Sequence, residues 1–588
     1  MPARAHRVLI PFAALLAILP ILLTGPSCGH DFDFHLLSWL EAATQFAHLH
    51  YPRWAYTPAY NAGEPRFLFY PPISWSLGAA LGLILPWKLV PAAFTWSALT
   101  LSGFTMHAFA RRYTGQPAAT LAAILYLANP YMLFTAYERT AYGELLAAAW
   151  LPVLFAAALA PRLRIVTLAI PVALLWLTNA PAAVMGCYAL AFLALVRLIL
   201  SQTTQTPGTP SHTLGAPSQT VSSSGVGCQM SRTATAFTTL AATLLGLALA
   251  AFYLVPAIAE RPLIQSNMAT IEGMRIADNT LFHRMSPPTE DNIAHDVVLH
   301  TASLLSVTLL AAILLTLFVT QRGARRASFS LPSSLFPLLL LVFLIAFLLT
   351  PLSLPIWNHV PELRFLQFPW RLTAILGTLL ALFAAIALDR DPVRDPDCLQ
   401  MTPVRASLAA LALASALILP AWNLFHQPCD LEDTVEARVA LYHSPRGTEP
   451  TDEYTPTPAD NDSLGKSDPP YWLASTPSAK PPADPPGPAP AHLALTLPTP
   501  EFLILNLREY PGWRIALNGN PIAALPETRD DGLTAIHLPA GRDTIDVAFA
   551  LTPDEILGLT LTALAVLLAL AILIHGFAPK ESPHKSLF

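Results

Sequence analysis

Charge is what this chain has least of. Aspartate, glutamate, lysine and arginine make up only 12% of its 588 residues, while 54% are hydrophobic. An ordinary soluble domain is about one quarter charged, so the shortage excludes a water-soluble globular protein and predicts a polytopic α-helical membrane protein. There is no basic run, and the formal net charge is -5, which excludes the phosphate-neutralising surface that nucleic-acid binding requires. Cysteine is scarce as well, five in all, and no CxxC or paired His/Cys spacing marks a structural zinc site. The sequence shows neither an internal repeat nor paired broken segments at mid-membrane, which weighs against a secondary transporter.

What is abundant is apolar sequence in long runs. They fall at 8–24, 92–110, 118–134, 145–159, 165–177, 182–200, 237–258, 302–320, 335–349, 372–388, 408–419 and 556–574, about twelve candidate transmembrane helices. The first follows Arg4 and Arg7 as a signal peptide would, but its length and the poor cleavage context Gly25-Pro26-Ser27-Cys28 favour an uncleaved anchor. A further apolar stretch, 73–90, decides the orientation of everything after it. If it lies flat, then Arg111, Arg112, Arg162, Arg164, Arg197, Arg232, Arg322, Arg325, Arg326, Arg390, Arg394, Arg405, Lys580 and Lys585 all share the N-terminal, cytoplasmic side. If it spans, they all face outward. The positive-inside rule selects the first arrangement, so 73–90 is an interfacial or re-entrant helix, a reading that Pro71, Pro72 and Pro86 suit.

That orientation puts the loop at 25–91, Tyr137 to Glu144, Thr178-Asn179, 260–300, 351–368 and 421–554 on the outer face. The Ser/Thr/Gly-rich stretch 201–232 becomes a cytoplasmic tether. Cys187 falls in an apolar run and Cys228 and Cys398 in cytoplasmic loops. Cys28 and Cys429 share the oxidising face, where a disulfide is geometrically possible. Residues 421–490, dense in Pro, Asp and Ser between 449 and 490, read as an extracytoplasmic linker. From 491 to 554 short alternating runs separated by Asn518-Gly519 and Ala540-Gly541 turns predict a small β-sandwich-like domain. It suits carbohydrate recognition or packing better than catalysis. Residues 555–588 then form a last span and a cytoplasmic tail.

The scarce charges gather on the outer side. Gly29-His30-Asp31-Phe32-Asp33-Phe34-His35 places two acids and two imidazoles at a membrane face, where ionisable groups are costly unless they function. A carboxylate there can deprotonate an acceptor or hold a divalent cation against a phosphate leaving group. Asp31 and Asp33 are the catalytic candidates. As a strand they would point the same way, about 7 Å apart, and as a helix they would diverge by about 200°. His30 could join them around a metal, although interfacial histidines bonded to backbone or headgroups are as common. The substrate-binding candidates are His35, Glu64, Tyr70, Glu138, Arg139, Glu144, Arg364, Gln367 and Arg371, the arginines for phosphate and the aromatic run around Trp370 for a sugar or an interfacial belt.

The opening block, with Tyr51-Pro52-Arg53-Trp54 and Gly63-Glu64-Pro65-Arg66-Phe67-Leu68-Phe69-Tyr70-Pro71-Pro72, resembles that of the membrane-protein family labelled "6-pyruvoyl-tetrahydropterin synthase related". The 137–144 and Leu366-Gln367-Phe368-Pro369-Trp370-Arg371 blocks are similar to later ones of that family. Tyr510-Pro511-Gly512-Trp513 and Leu538-Pro539-Ala540-Gly541 resemble the outer domain of YfhO-type membrane proteins. Both groups are similar to polyprenyl-phosphate-dependent glycosyltransferases of the GT-C fold, with a catalytic aspartate in the first outer loop followed by flat juxtamembrane helices. The three-histidine zinc site of the soluble pterin synthase has no counterpart here, and Asn179 stands where many relatives carry histidine.

The resemblance implies a GT-C-like transmembrane domain over residues 1–420 in a bacterial inner (cytoplasmic) membrane, with both termini cytoplasmic. It implies transfer of a sugar from a polyprenyl-phosphate donor to an extracytoplasmic glycan, lipid or protein acceptor. Asp31 or Asp33 would be the base, with Asp31, Asp33 and His30 as ligands if Mg2+ or Mn2+ takes part. The rival is a non-catalytic membrane protein that binds or carries lipid-linked glycans in envelope assembly.

Overall fold

The computed structural model describes residues 6–200, 231–327, 335–389, 403–524 and 529–577. Most of the 201–232 tether, with Cys228, and also Cys398, Arg390, Arg394, Lys580 and Lys585 lie outside the described residues. In hydrocarbon the backbone must satisfy itself, so the apolar runs fold as helices. Among the described residues nine are long and apolar enough to cross a membrane: His6–Thr24, Trp87–Ala110, Gln116–Tyr137, Ala180–Leu200, Arg232–Leu249, Glu290–Phe318, Pro369–Leu388, Leu408–Phe425 and Pro553–His575. The chain is a multi-pass helical membrane protein.

The other three of the twelve expected spans are shorter. Tyr142–Ala158 and Ile165–Thr178 are short apolar helices, and Phe336–Leu348 is bent by 96° against Pro351–His359. Composition could not show this, because the breaks come from turns at Thr140, which has a φ of 46°, and at Asn179, where the backbone turns extended. The 73–90 stretch becomes a helix of 13 residues, Pro72–Ile84, about 20 Å long against a hydrocarbon core of about 30 Å. Its Trp75 is buried and its Gly78 lies on the ring of Trp39, so it packs on the helix Phe32–Ala47.

The two ends of the bundle differ in character. At one, Arg112 donates to the carbonyl of Ala156, Arg197 to those of Ala158 and Ala160, and Asp389 accepts from the amide of Gly115. At the other, the loops assigned to the outer face meet. The Cys28 amide donates to Gln427 O, the Leu281 amide to Leu349 O, and the Gln367 side chain to Ala269 O.

Seven strands form the C-terminal domain: β1 Tyr471–Ala474, β2 His492–Leu497, β3 Glu501–Arg508, β4 Trp513–Leu517, β5 Asn520–Ile522, β6 Leu533–Leu538 and β7 Gly541–Phe549. They pair antiparallel as a three-stranded sheet, β1-β3-β6, and a four-stranded sheet, β2-β7-β4-β5. Leu503, Leu505 and Ile536 of the first sheet meet Leu497, Ile515 and Ile545 of the second in one core. Asn518 and Gly519 have φ of 53° and 78°, as a two-residue type I′ hairpin requires.

The first sheet is covered on both faces, which is why β3 reads as a continuous apolar run rather than an alternating one. Its second face, with Ile504 and Ala535, packs on Ala59 and Ala62 of the first outer loop. The Arg508 amide donates to Ala62 O, and Asn506 Nδ2 to Tyr60 O at 3.0 Å.

Residues 421–490 are not a free linker. They supply β1 and the helix Val435–Tyr442, and the Pro-rich stretch is fastened by the Thr448 amide to Thr57 O and the Thr451 amide to Glu64 Oε2. Polar composition predicted an unpacked segment, yet its backbone groups find partners on the first outer loop. Cys28 and Cys429 form a disulfide that closes a separation of 401 residues. Replacing both by serine should cost about 2–5 kcal/mol of stability, read as a lowered melting midpoint in detergent. An unchanged midpoint, or two freely alkylated thiols in the unreduced protein, would remove the disulfide from the account.

Candidate functional site

Helix Phe32–Ala47 begins at the acidic loop, and Asp31 is its N-cap residue without a side-chain cap bond. The carboxylate is therefore free for other partners. Asp31 and Asp33 follow helical geometry and diverge. One oxygen of Asp31 accepts from His30 Nδ1 at 2.9 Å and the other from Arg139 Nη2 at 3.3 Å. Asp33 turns away to Arg438 of the Val435–Tyr442 helix, which also pairs with Asp433 at 2.6 Å.

Backbone contact fixes the Asp31 side. The His30 and Asp31 amides donate to Glu138 O and Arg139 O at 3.3 and 2.9 Å. Gly29 allows this approach, since a Cβ there would sit 2.2 Å from Glu138 O.

From Asp31 a chain of charges runs inward. Arg139 Nη1 donates to Glu144 Oε2 at 2.8 Å, Arg371 Nε lies 3.3 Å from the same oxygen, and Tyr131 donates to Glu144 Oε1 at 2.5 Å. Arg371 Nη1 donates to Leu366 O and to Gln367 Oε1. Two carboxylates thus face two guanidiniums, and Arg139, Glu144 and Arg371 are all buried. Aromatic faces supply the remaining walls, with Arg139 over Trp370 at 5.0 Å and Arg371 over Phe368 at 4.7 Å. His35, one turn after Asp31, sits among Phe34, Trp39, Tyr70 and Tyr142, with Nε2 3.5 Å from the Tyr70 hydroxyl and a buried Nδ1 that has no partner among the described residues.

Electrostatics separates the two aspartates. Burial alone would raise the Asp31 carboxyl, but the Arg139 guanidinium and the His30 bond outweigh it and hold it well below the usual carboxylate range. Burial, with Asp433 nearby, raises Asp33 to about 6 despite Arg438. Burial pushes His35 down to about 4, leaving the ring neutral.

The Asp33 shift makes the folded state take up a proton that the unfolded chain releases. Stability from this group is complete below its ordinary pKa and is lost as pH rises from about 4 to about 6. The melting midpoint of Asp33→Asn should therefore fall less over that window than that of the unmutated chain. Parallel curves would reject the assignment.

The structure brings together Asp31, His30, Arg139, Glu144, Gln367 and Arg371, with His35 and Tyr70 beside them. It sets four candidates apart. Asp33 faces Arg438, and Glu64 is bound by Arg66 at 2.7 Å and the Thr451 amide at 2.9 Å. Glu138 accepts from Gln427 Nε2 at 2.7 Å, and Arg364 lies in a separate groove.

A divalent cation does not fit the proposed ligands. Asp33 is paired away from Asp31, and the guanidinium of Arg139 holds the place beside Asp31 where a cation would compete. Among the described residues no group of three or more His, Cys, Asp or Glu could hold a metal ion. Asn179 caps the following helix, its Oδ1 accepting from the Ala182 amide at 2.9 Å. Sequence reasoning missed Tyr131 and Arg438. Tyr131 carries no charge to flag it, and Arg438 lies in the presumed linker.

The fold and site together define a multi-pass membrane protein with a buried acid–arginine chain beneath an extramembrane β-sandwich. No family model matches the chain, and no curated protein matches it. Neither resemblance noted in the sequence, to the pterin-synthase-related family or to YfhO-type proteins, is confirmed.

Among solved structures it is similar to arabinofuranosyltransferase AftD from Mycobacteria, at 14% identity over 94% of this chain and 40% of that chain, TM-score 0.43. It is also similar to the apo oligosaccharyltransferase of Archaeoglobus fulgidus, at 16% identity over 73% of this chain and 57% of that chain, TM-score 0.36. The oligosaccharyltransferase AglB in complex with an inhibitory peptide and a dolichol-phosphate matches at 15% identity over 73% of this chain and 56% of that one, TM-score 0.37. The chain thus spans 40% to 57% of the length of these neighbours. At such values the likenesses assign neither donor nor acceptor.

Proposed function

We propose that the chain is a membrane glycosyltransferase that moves a sugar from a polyprenyl-phosphate donor to an acceptor at the outer membrane face. One arrangement supports this above the rest: a partly exposed carboxylate, Asp31, ion-paired to a buried guanidinium that belongs to an Arg–Glu–Arg chain. The guanidiniums suit the phosphate of the donor. The Phe368 and Trp370 rings, stacked on each other under Arg371 and Arg139, back the guanidiniums and hold them in place.

In the reaction the acceptor oxygen attacks the anomeric carbon as the bond from that carbon to the phosphate oxygen breaks. Polyprenyl phosphate leaves with both electrons of that bond, the acceptor proton passes to Asp31, and the anomeric centre inverts. A carboxylate held by Arg139 is a weak base. A donor phosphate that draws Arg139 Nη2 from Asp31 removes the charge that depresses it, so donor binding raises Asp31 toward the basicity the step needs. The β-sandwich, seated on Ala59 and Ala62, holds the loop that carries Asp31. The outward direction of this end follows from the arginine asymmetry of the loops.

The test is a transfer assay with purified protein in lipid, offering radiolabelled polyprenyl-phosphate sugars and membrane-extract acceptors. Label should move to an acceptor. Tight binding of the lipid without turnover, across all donors and acceptors, would replace the transferase with a carrier of lipid-linked glycans.

A further inference from the structure

Beyond the acid–arginine chain, the same end of the molecule carries an open groove of about 610 Å³ between the segment after helix Ala251–Ala259 and the turn Leu363–Leu366. That volume suits a small ligand. The groove is lined by Arg261, Gln265, Ser266, Asn267, Arg364 and Thr457 among others. Both guanidiniums rest on one aromatic ring, Arg261 at 3.9 Å and Arg364 at 4.9 Å from the centroid of Phe365. Their joint charge is poorly neutralised. Glu362, 56% exposed, reaches Arg261 only at 3.5 Å, and among the described residues no carboxylate pairs with Arg364.

The backbone that holds the groove is unusual. Glu362 and Gln367, at the two ends of the Leu363–Leu366 turn, have φ of 62° and 60°, conformations that side-chain-bearing residues keep only where their surroundings impose them. Gln367 spans the two sites. Its Oε1 accepts from Arg371, while its Nε2 donates to Ala269 O at 2.8 Å beside the groove. On the neighbouring helix Ile258 is 71% exposed as a lipid-facing residue would be, and Arg261 comes three residues later.

We propose that this groove is a second binding site, separate from the Asp31–Arg371 chain, for a phosphate ester presented at the membrane surface. Two planar cations on a ring, flanked by Ser266 and Asn267, match the tetrahedral oxygens of a phosphate, while Gln265 Nε2 is engaged by Pro456 O and Ala459 O. A lipid headgroup and a soluble phosphorylated glycan share that chemistry. The site goes beyond the transfer reaction, and binding is read here without turnover, so an absent transferase activity leaves this result standing.

The experiment places the full chain in phosphatidylcholine nanodiscs and measures equilibrium binding in two arms, one with dioleoyl phosphatidate in the bilayer, a phosphate monoester without the polyprenyl chain of the proposed donor, and one with soluble glycerol phosphate. The double variant Arg261→Gln/Arg364→Gln should bind about 10–100-fold more weakly in whichever arm shows binding, and that arm names the source. Glu362→Gln removes the competing carboxylate and should tighten binding about threefold, a gain that misfolding cannot produce. Failure of both compounds to bind, unchanged affinity in the double variant, or no gain in Glu362→Gln would overturn the site.

Discussion

Asp31→Asn is expected to lower sugar transfer by about 10²–10⁴-fold, the usual contribution of a positioned base, while the protein still inserts and folds. Asp33→Asn should lower it by no more than about fivefold, as befits a partly exposed ion pair. The two acids stand two residues apart in sequence and look interchangeable there. In the folded chain Asp31 meets His30 and Arg139, whereas Asp33 meets Arg438 and Asp433. Asparagine keeps the shape of Asp31 and can still accept from Arg139, so the loss isolates the negative charge that takes the acceptor proton. The measurement is initial rate with the radiolabelled donor at saturating acceptor. Equal losses in the two variants, or full activity of Asp31→Asn, would dismiss Asp31 as the base.

Glu144→Gln should be the most destabilising conservative change near the site, at about 3–5 kcal/mol, because it leaves buried charges uncompensated. Glu144 is 5% exposed and takes Arg139, Arg371 and the Tyr131 hydroxyl on its two oxygens. Without its charge two buried guanidiniums share only Asp31. Tyr131→Phe removes one hydrogen bond and should cost about 1–2 kcal/mol. The pairing itself is tested by Glu144→Gln/Arg139→Met, which deletes one charge of each sign and should recover most of the loss. Thermal unfolding in a fixed detergent reads all three, and a Glu144→Gln protein as stable as the unmutated chain would show that the network carries little.

Much of this arrangement was legible in the residues, and each success has a physical cause. Scarcity of charge determined that the chain is helical and membrane-embedded, since only self-satisfied backbone survives in hydrocarbon. Prolines at 71, 72 and 86 marked where the 73–90 stretch breaks, and the helix there is a short one, Pro72–Ile84, ending before the span Trp87–Ala110. Alternation and the Asn518-Gly519 turn determined β2, β4, β6 and β7 nearly to the residue, because strand period and a positive-φ turn are local properties, and β3 stood out as a short apolar run.

Local rules failed where partners lay far along the chain. Nothing in residues 421–490 announces that the Thr448 and Thr451 amides bond to Thr57 O and Glu64, so the segment read as a linker. The strand β1 inside that stretch was missed for the same reason, whereas β5 pairs with its neighbour β4 and was missed because three residues, one of them Pro521, carry no strand period. The sequence by itself determined that acids and arginines cluster on one face of a membrane bundle. Only the tertiary structure decided which acid meets which arginine: a helix starting at Phe32 sends Asp31 and Asp33 in different directions, and the Cys28–Cys429 closure brings Arg438 to Asp33 across some four hundred residues. Ion pairs depend on distance in space, and period and composition carry no record of it.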